Sequence, residues 1–251
     1  MIARAVTRQL AQLFSILLIF GLLATARAAD TAPGSAGLDM ALPAGERAVK
    51  VIAFRAAGDA PRPAALILHG AGGFDRRISA YRAYAAAVAT AGIDAYLVYY
   101  YSAAGGGVFK TRYPAWARLV GDLAEHLRSE KASNGKVGLI GFSNGGILAT
   151  GAVVLDPKIN AAVVYYGTEP WPLKDTVRRY PPLLILHGDA DAVIAVEAGL
   201  QLAENARALG TSVDLVVYPD EVHGFGSNLE SKNGADALAR TLSFLKKELA
   251  K

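Results

Sequence analysis

Val137-Gly138-Leu139-Ile140-Gly141-Phe142-Ser143-Asn144-Gly145-Gly146 is the stretch whose reading decides the fold. It opens as an apolar run of strand length, and residues 147–153 continue it as an apolar helical pattern. A strand that feeds a helix through Gly-x-Ser-x-Gly must turn sharply, and a side chain at either glycine would collide in so tight a turn. Such a turn lifts the Ser143 hydroxyl clear of the strand. The competing reading is a glycine-rich helix start with Ser143 as its cap. The strand before and the helix after favour the turn.

Working outward, apolar runs recur at residues 49–54, 64–69, 93–101, 137–141, 161–166, 183–187 and 213–218. Most are continuous rather than alternating, as suits strands covered on both faces of a parallel sheet. Helical patterns separate them. Pro114 fits the first turn of a helix carrying Trp116, Leu119, Leu123 and Leu127 on one face. Residues 195–209 form another, with Gly210 as its stop, and Leu238, Leu242, Leu245 and Leu249 mark a last one. Strand and helix in alternation predict an α/β fold: an open, mostly parallel central sheet with helices on both faces.

The first residues read differently. Arg4 and Arg8 precede an uncharged apolar stretch over 13–24, and Ala26-Arg27-Ala28 supplies a small-x-small cleavage pattern. This predicts a signal peptide at 1–28, removed before Ala29, and hence an exported, periplasmic or secreted protein. The alternative, a retained anchor, is disfavoured because the stretch falls short of the ~20 residues that span a bilayer. Residues 29–45, rich in Ala, Pro and Gly, read as an N-terminal arm or loop. Residues 46–251 read as one domain, within the size that a single core supports.

Loss of Arg4, Arg8 and Arg27 with the signal lowers the formal charge from +4 to +1. That near-neutral balance disfavours a basic surface built for nucleic acid. With 53% apolar residues, disorder is not expected, and the absence of cysteine removes disulfides and thiolate chemistry together.

In an open parallel sheet, functional groups gather at the carboxyl ends of strands. Three such ends carry chemistry here. Ser143 is the candidate nucleophile. His187-Gly188-Asp189-Ala190-Asp191 ends the run at 183–187. A serine hydroxyl needs a histidine to take its proton, and the histidine needs a carboxylate to hold its tautomer. Asp191 is preferred for that carboxylate and Asp189 competes, since spacing does not separate them. Among four histidines, His223 lies downstream of the acid in a loop able to reach Ser143. His126 sits in a helical pattern, and His69 and His187 end strands before glycines, where a ring more often supports a loop. Oxyanion donors are expected from the Asn144 N–H, at a helix start, and from the glycine-rich loop His69-Gly70-Ala71-Gly72-Gly73, with the Ala71 N–H as candidate.

These residues resemble the dienelactone hydrolase family of the α/β-hydrolase superfamily. The resemblance runs from Val49 to the C-terminus through His69-Gly70, Gly141 to Gly146, Tyr165-Tyr166-Gly167, His187-Gly188 with Asp191, and His223-Gly224-Phe225. It implies the α/β-hydrolase fold and a hydrolase acting on a carboxylic ester or lactone. Founding members carry a cysteine at the elbow and a glutamate after the third strand. Here those positions hold Ser143 and Gly70, a paired departure that implies a serine-nucleophile variant and weakens dienelactone itself as substrate.

The expected reaction is hydrolysis through an acyl-enzyme on Ser143, with no metal and no organic cofactor. The expected partner is a small-molecule ester or lactone, with no nucleic acid and no stable membrane span after signal removal. Tyr101 and Trp171 are expected to flank the pocket, and Arg178 and Arg179 could attract a substrate carboxylate. Two rival readings are a peptidase or amidase using the same residues, and a catalytically inactive binding protein on a hydrolase scaffold.

Overall fold

The computed structural model describes residues 37–103, 109–171 and 173–250. The expected signal peptide at 1–28, and residues 29–36 of the expected arm, lie outside the described residues.

In chain order the elements are β1 (Leu38–Ala44), β2 (Arg47–Phe54), β3 (Arg62–Leu68), α1 (Ile78–Thr90), β4 (Asp94–Val98) and α2 (Tyr100–Ala103). There follow α3 (Phe109–Ser129), β5 (Ser133–Phe142), α4 (Asn144–Leu155), β6 (Ala161–Tyr165), β7 (Leu183–Gly188), α5 (Val196–Ala208), β8 (Val213–Tyr218) and α6 (Lys232–Leu249). The strands form one eight-stranded sheet in the order β1-β2-β4-β3-β5-β6-β7-β8. β2 runs antiparallel to β1 and β4, and every pairing from β4 onward is parallel.

The continuous apolar runs have the cause inferred for them. Alternate residues of β3 and β5 enter opposite cores: Leu66, Leu68 and Leu139 pack with Trp116 and Leu123 of α3 and Leu148 of α4. Ile67 and Ile140 pack with Tyr84 and Val88 of α1 and with Phe244 and Leu245 of α6. Helices α3, α4 and α5 thus cover one face, and α1 and α6 the other. A strand buried on both sides has no polar face to alternate.

Several details differ from expectation. The last part of the supposed arm is strand β1, whose Leu42 and Ala44 are buried at the sheet edge. It turns into β2 through Gly45-Glu46, with Gly45 at φ 59°, where glycine carries no steric penalty. The run at 93–101 stops being strand at Val98, because the chain turns at Tyr99 and Tyr100 swings under the loop after β3. There the Tyr100 hydroxyl donates to the His69 carbonyl at 2.7 Å. Pro114 lies inside α3 rather than in its first turn, since the helix begins at Phe109. Helix α1 was not anticipated: its alanine-rich face gives a faint stripe, although Tyr81, Tyr84 and Val88 are buried.

Candidate active site

The carboxyl edge of the sheet carries the site. β5 ends at Phe142, and Ser143 takes φ 55° and ψ −119° before α4 begins at Asn144. Both flanking glycines are dictated by contact. A Cβ on Gly141 would run into the Gly145 carbonyl, and one on Gly145 into the carbonyl of Leu68 on β3. The Ser143 N–H donates to the Tyr165 carbonyl at 3.0 Å, tying the turn to β6 as well.

The acid comes from the turn after β7. Asp191 Oδ1 accepts from the N–H groups of Val193 at 2.8 Å and Ile194 at 2.9 Å, leaving Oδ2 to face His223. Burial opposes the charge on this carboxyl, yet the hydrogen bonds from Ile194, His223 and Val193 outweigh it and hold the group below the ordinary aspartate value. Asp189, the competitor, accepts instead from the Asp220 N–H at 2.7 Å and shapes the neighbouring loop. Buried His187 supports the acid from behind: its Nε2 donates to the Ile194 carbonyl at 2.9 Å and lies 3.5 Å from Asp191 Oδ2.

The loop after β8 brings His223 over the elbow. That loop lies so close to β7 that a Cβ on Gly188 would strike the Glu221 carbonyl. His223 Nδ1 is 2.7 Å from Asp191 Oδ2, and its Nε2 is 2.9 Å from Ser143 Oγ. Since a carboxylate accepts, Nδ1 carries the hydrogen and Nε2 is free to accept from the serine hydroxyl. The Tyr166 ring supports the imidazole with centroids 4.7 Å apart. Residues 143, 191 and 223 therefore meet in one hydrogen-bonded path.

A cavity of about 380 Å³ opens onto this path, lined by Gly70, Ala71, Ser143, Tyr166, Val193 and His223 among others. The Ala71 and Asn144 N–H groups meet no backbone carbonyl acceptor among the described residues. The first lines the cavity and the second directly follows Ser143. Among the described residues no group of His, Cys, Asp or Glu side chains is gathered that could hold a metal ion.

The profile of the Dienelactone hydrolase family matches residues 50–249. The chain belongs to this family. A carboxymethylenebutenolidase homolog of Xenopus tropicalis is 32% identical over 95 residues, which cover 36% of this chain and 37% of that one. This dienelactone hydrolase family chain spans less than half the length of the curated relatives it matches. Among solved structures, a hyperthermophilic esterase of Pyrobaculum calidifontis aligns with a TM-score of 0.68 at 16% identity, covering 84% of this chain and 85% of that chain. A propionate-bound esterase of Thermogutta terrifontis aligns with a TM-score of 0.65 at 17% identity, covering 85% and 95% of the two chains. The fold is the α/β-hydrolase fold.

Within this family member, two expected pocket residues lie elsewhere. The Tyr101 ring packs edge-on to His69 at 4.6 Å and against Trp116 at 4.7 Å, in the aromatic cluster next to β3 rather than on the cavity wall. Trp171 is 46% exposed on the loop after β6 and is not among the cavity-lining residues, nor are Arg178 and Arg179. The cavity is lined instead by Arg76, Arg77, Tyr81 and Ser227, which sequence reasoning passed over. Arg77 Nη1 donates to Ser227 Oγ at 2.6 Å across 150 residues of chain. A signal existed in the short Phe74-Asp75-Arg76-Arg77 stretch behind the glycine loop, where paired arginines follow a strand end at the sheet's functional edge.

Proposed function

We propose that the chain is a serine hydrolase that cleaves a carboxylic ester or lactone through an acyl-enzyme on Ser143. The observation that supports this most is the unbroken path from Ser143 Oγ to His223 Nε2 at 2.9 Å and from His223 Nδ1 to Asp191 Oδ2 at 2.7 Å. Ser143 Oγ attacks the carbonyl carbon while its proton passes to His223 Nε2. Asp191, kept charged by its hydrogen bonds, stabilises the imidazolium and holds its ring. The N–H groups of Asn144 and Ala71 receive the oxyanion. Collapse breaks the C–O bond to the leaving alcohol, which takes the proton from His223; in a lactone that alcohol stays tethered to the acyl group. Water then loses a proton to His223, attacks the acyl carbon, and releases the acid with Ser143 restored.

Family membership and the name carried by the Xenopus relative support an ester or lactone over other acyl substrates. Arg76 and Arg77 on one wall and Val193, 71% exposed, on another suit a small substrate with an anionic end and an apolar part. The residues at 1–28 support export, with mature protein starting at Ala29.

The test is turnover of small aryl esters by Ser143→Ala, with labelling of the wild type by a fluorophosphonate. Turnover should fall by several powers of ten in the variant, and the label should sit on Ser143. Undiminished turnover in Ser143→Ala would remove the reading. A wild type that takes no label and turns over no ester would favour a binding protein on a hydrolase scaffold. Faster cleavage of peptide amides than of esters would favour a peptidase.

A further inference from the structure

The loop after β3 holds a buried imidazole that the reaction above does not use. His69 is 2% exposed, and its Nδ1 lies 2.7 Å from the Gly70 carbonyl oxygen. A carbonyl oxygen only accepts, so Nδ1 carries the hydrogen. The Gly73 N–H donates to the same oxygen at 3.1 Å. The Gly70 carbonyl and the Ala71 N–H are two ends of one peptide plane, and in a trans peptide they point in opposite directions. Pinning the oxygen on one side aims the N–H to the other. Ala71 lines the cavity, and a Cβ on Gly70 would come within 3.3 Å of Ser143 Cβ, so this plane lies against the nucleophile.

The imidazole is itself held fast. Tyr100 stacks on it at 4.1 Å between centroids, and Phe74 and Tyr101 meet it edge-on at 4.7 and 4.6 Å. Burial pushes its pKa down to about 4, against the raising effect of the Gly70 hydrogen bond and of Asp75, so at neutral pH the ring is uncharged and has one N–H to give.

We propose that His69 is a positioning residue: its Nδ1–H fixes the Gly70–Ala71 peptide plane so that the Ala71 N–H faces the oxyanion. Turned over, the same plane would present a carbonyl oxygen there and repel the developing charge. The inference rests on the serine-hydrolase reading and goes beyond it, by assigning a role to a side chain that touches no reacting atom.

Two substitutions separate the donor from the packing. His69→Phe keeps a stacking ring and loses the donor, whereas His69→Asn loses the ring but places an amide N–H near the position of Nδ1. With aryl ester as substrate, His69→Phe should lower kcat by about 10²-fold with KM little changed, because a donor to the oxyanion is realised only in the transition state. It should also weaken a trifluoromethyl ketone inhibitor by a similar factor, and His69→Asn should recover at least tenfold of both losses. Wild-type kcat in a folded His69→Phe protein would overturn the proposal, as would His69→Asn faring no better than His69→Phe. Nitrogen NMR of the wild type gives a test that needs no variant: hydrogen on Nδ1 is expected, and hydrogen on Nε2 alone would overturn it. Ser143→Ala serves as the control. If that variant keeps turnover, the reaction reading itself fails; if it is dead while His69→Phe is normal, only the role of His69 fails.

Discussion

Ser143 holds φ 55° with ψ −119°, a backbone conformation that an L-residue adopts only when its surroundings impose it. Here they do, through the Tyr165 hydrogen bond and the two glycine contacts. Strain of this kind costs about 1–3 kcal/mol. Ser143→Gly should therefore abolish ester hydrolysis while leaving unfolding free energy unchanged or up to about 1 kcal/mol higher, as read by urea denaturation. A second consequence concerns His69. Its folded pKa of about 4 lies below the ordinary 6.5, so between these values the unfolded chain takes up a proton that the folded protein refuses. Stability is thus lost as pH falls from 6.5 towards 4, by on the order of 3 kcal/mol from this group. His69→Phe should flatten that part of the stability–pH curve; an unchanged slope would show that other groups set it. At this scale the sequence was informative about chemistry and poor about choice. Ser143 and His223 stand out by motif and position. Asp191 and Asp189, two residues apart at one strand end, part company only through which N–H groups each one meets. Arg76 and Arg77 went unseen because nothing periodic marks a short turn, and the Ser227 hydroxyl that Arg77 meets lies far along the chain.

Among elements, β4 begins with a buried charge. Asp94 is 4% exposed, accepts from the Ala56 N–H at 2.7 Å, and pairs with Arg62 Nε at 2.8 Å and Arg55 Nη1 at 2.9 Å. The cluster clamps the amino ends of β3 and β4 and the exit of β2, opposite the site. Removing the acid leaves two arginines without their shared partner and an amide without its acceptor. Asp94→Ala should cost roughly 2–4 kcal/mol in urea denaturation while hardly changing kcat of the folded fraction. The elements that could be read from the chain were those buried on both faces, such as β3, β5, β6 and β7, whose apolar runs are unbroken. Those misread had partners elsewhere to thank for their shape. β1 is half solvated and carries Pro43, so its pattern is thin, and pairing with β2 makes it a strand. The β4 run overreaches because Tyr99, Tyr100 and Tyr101 have the propensity for strand, while the Tyr100 bond to His69 bends the chain away.

For the molecule as a whole, the three side chains of the site come from the ends of β5, β7 and β8, which no local segment could assemble. Activity and tertiary structure should then disappear together. The urea midpoints read by aryl-ester turnover and by tryptophan fluorescence should coincide, and loss of turnover well before the fluorescence change would show instead that the His223 loop opens by itself. Parallel order was legible from the pattern of apolar runs and intervening helices, since runs without polar alternation demand cover on both sides. The position of β2, antiparallel to both β1 and β4, was not, because strand direction leaves no mark in a single run.

Gly145 sits so near Leu68 that the turn bearing the alcohol and the loop bearing the amide share one joint. Neither can drift without carrying its neighbour along. Substitutions that reshape the cavity should therefore be borne better at the rim, by Arg76, Arg77 and Val193, than at that joint.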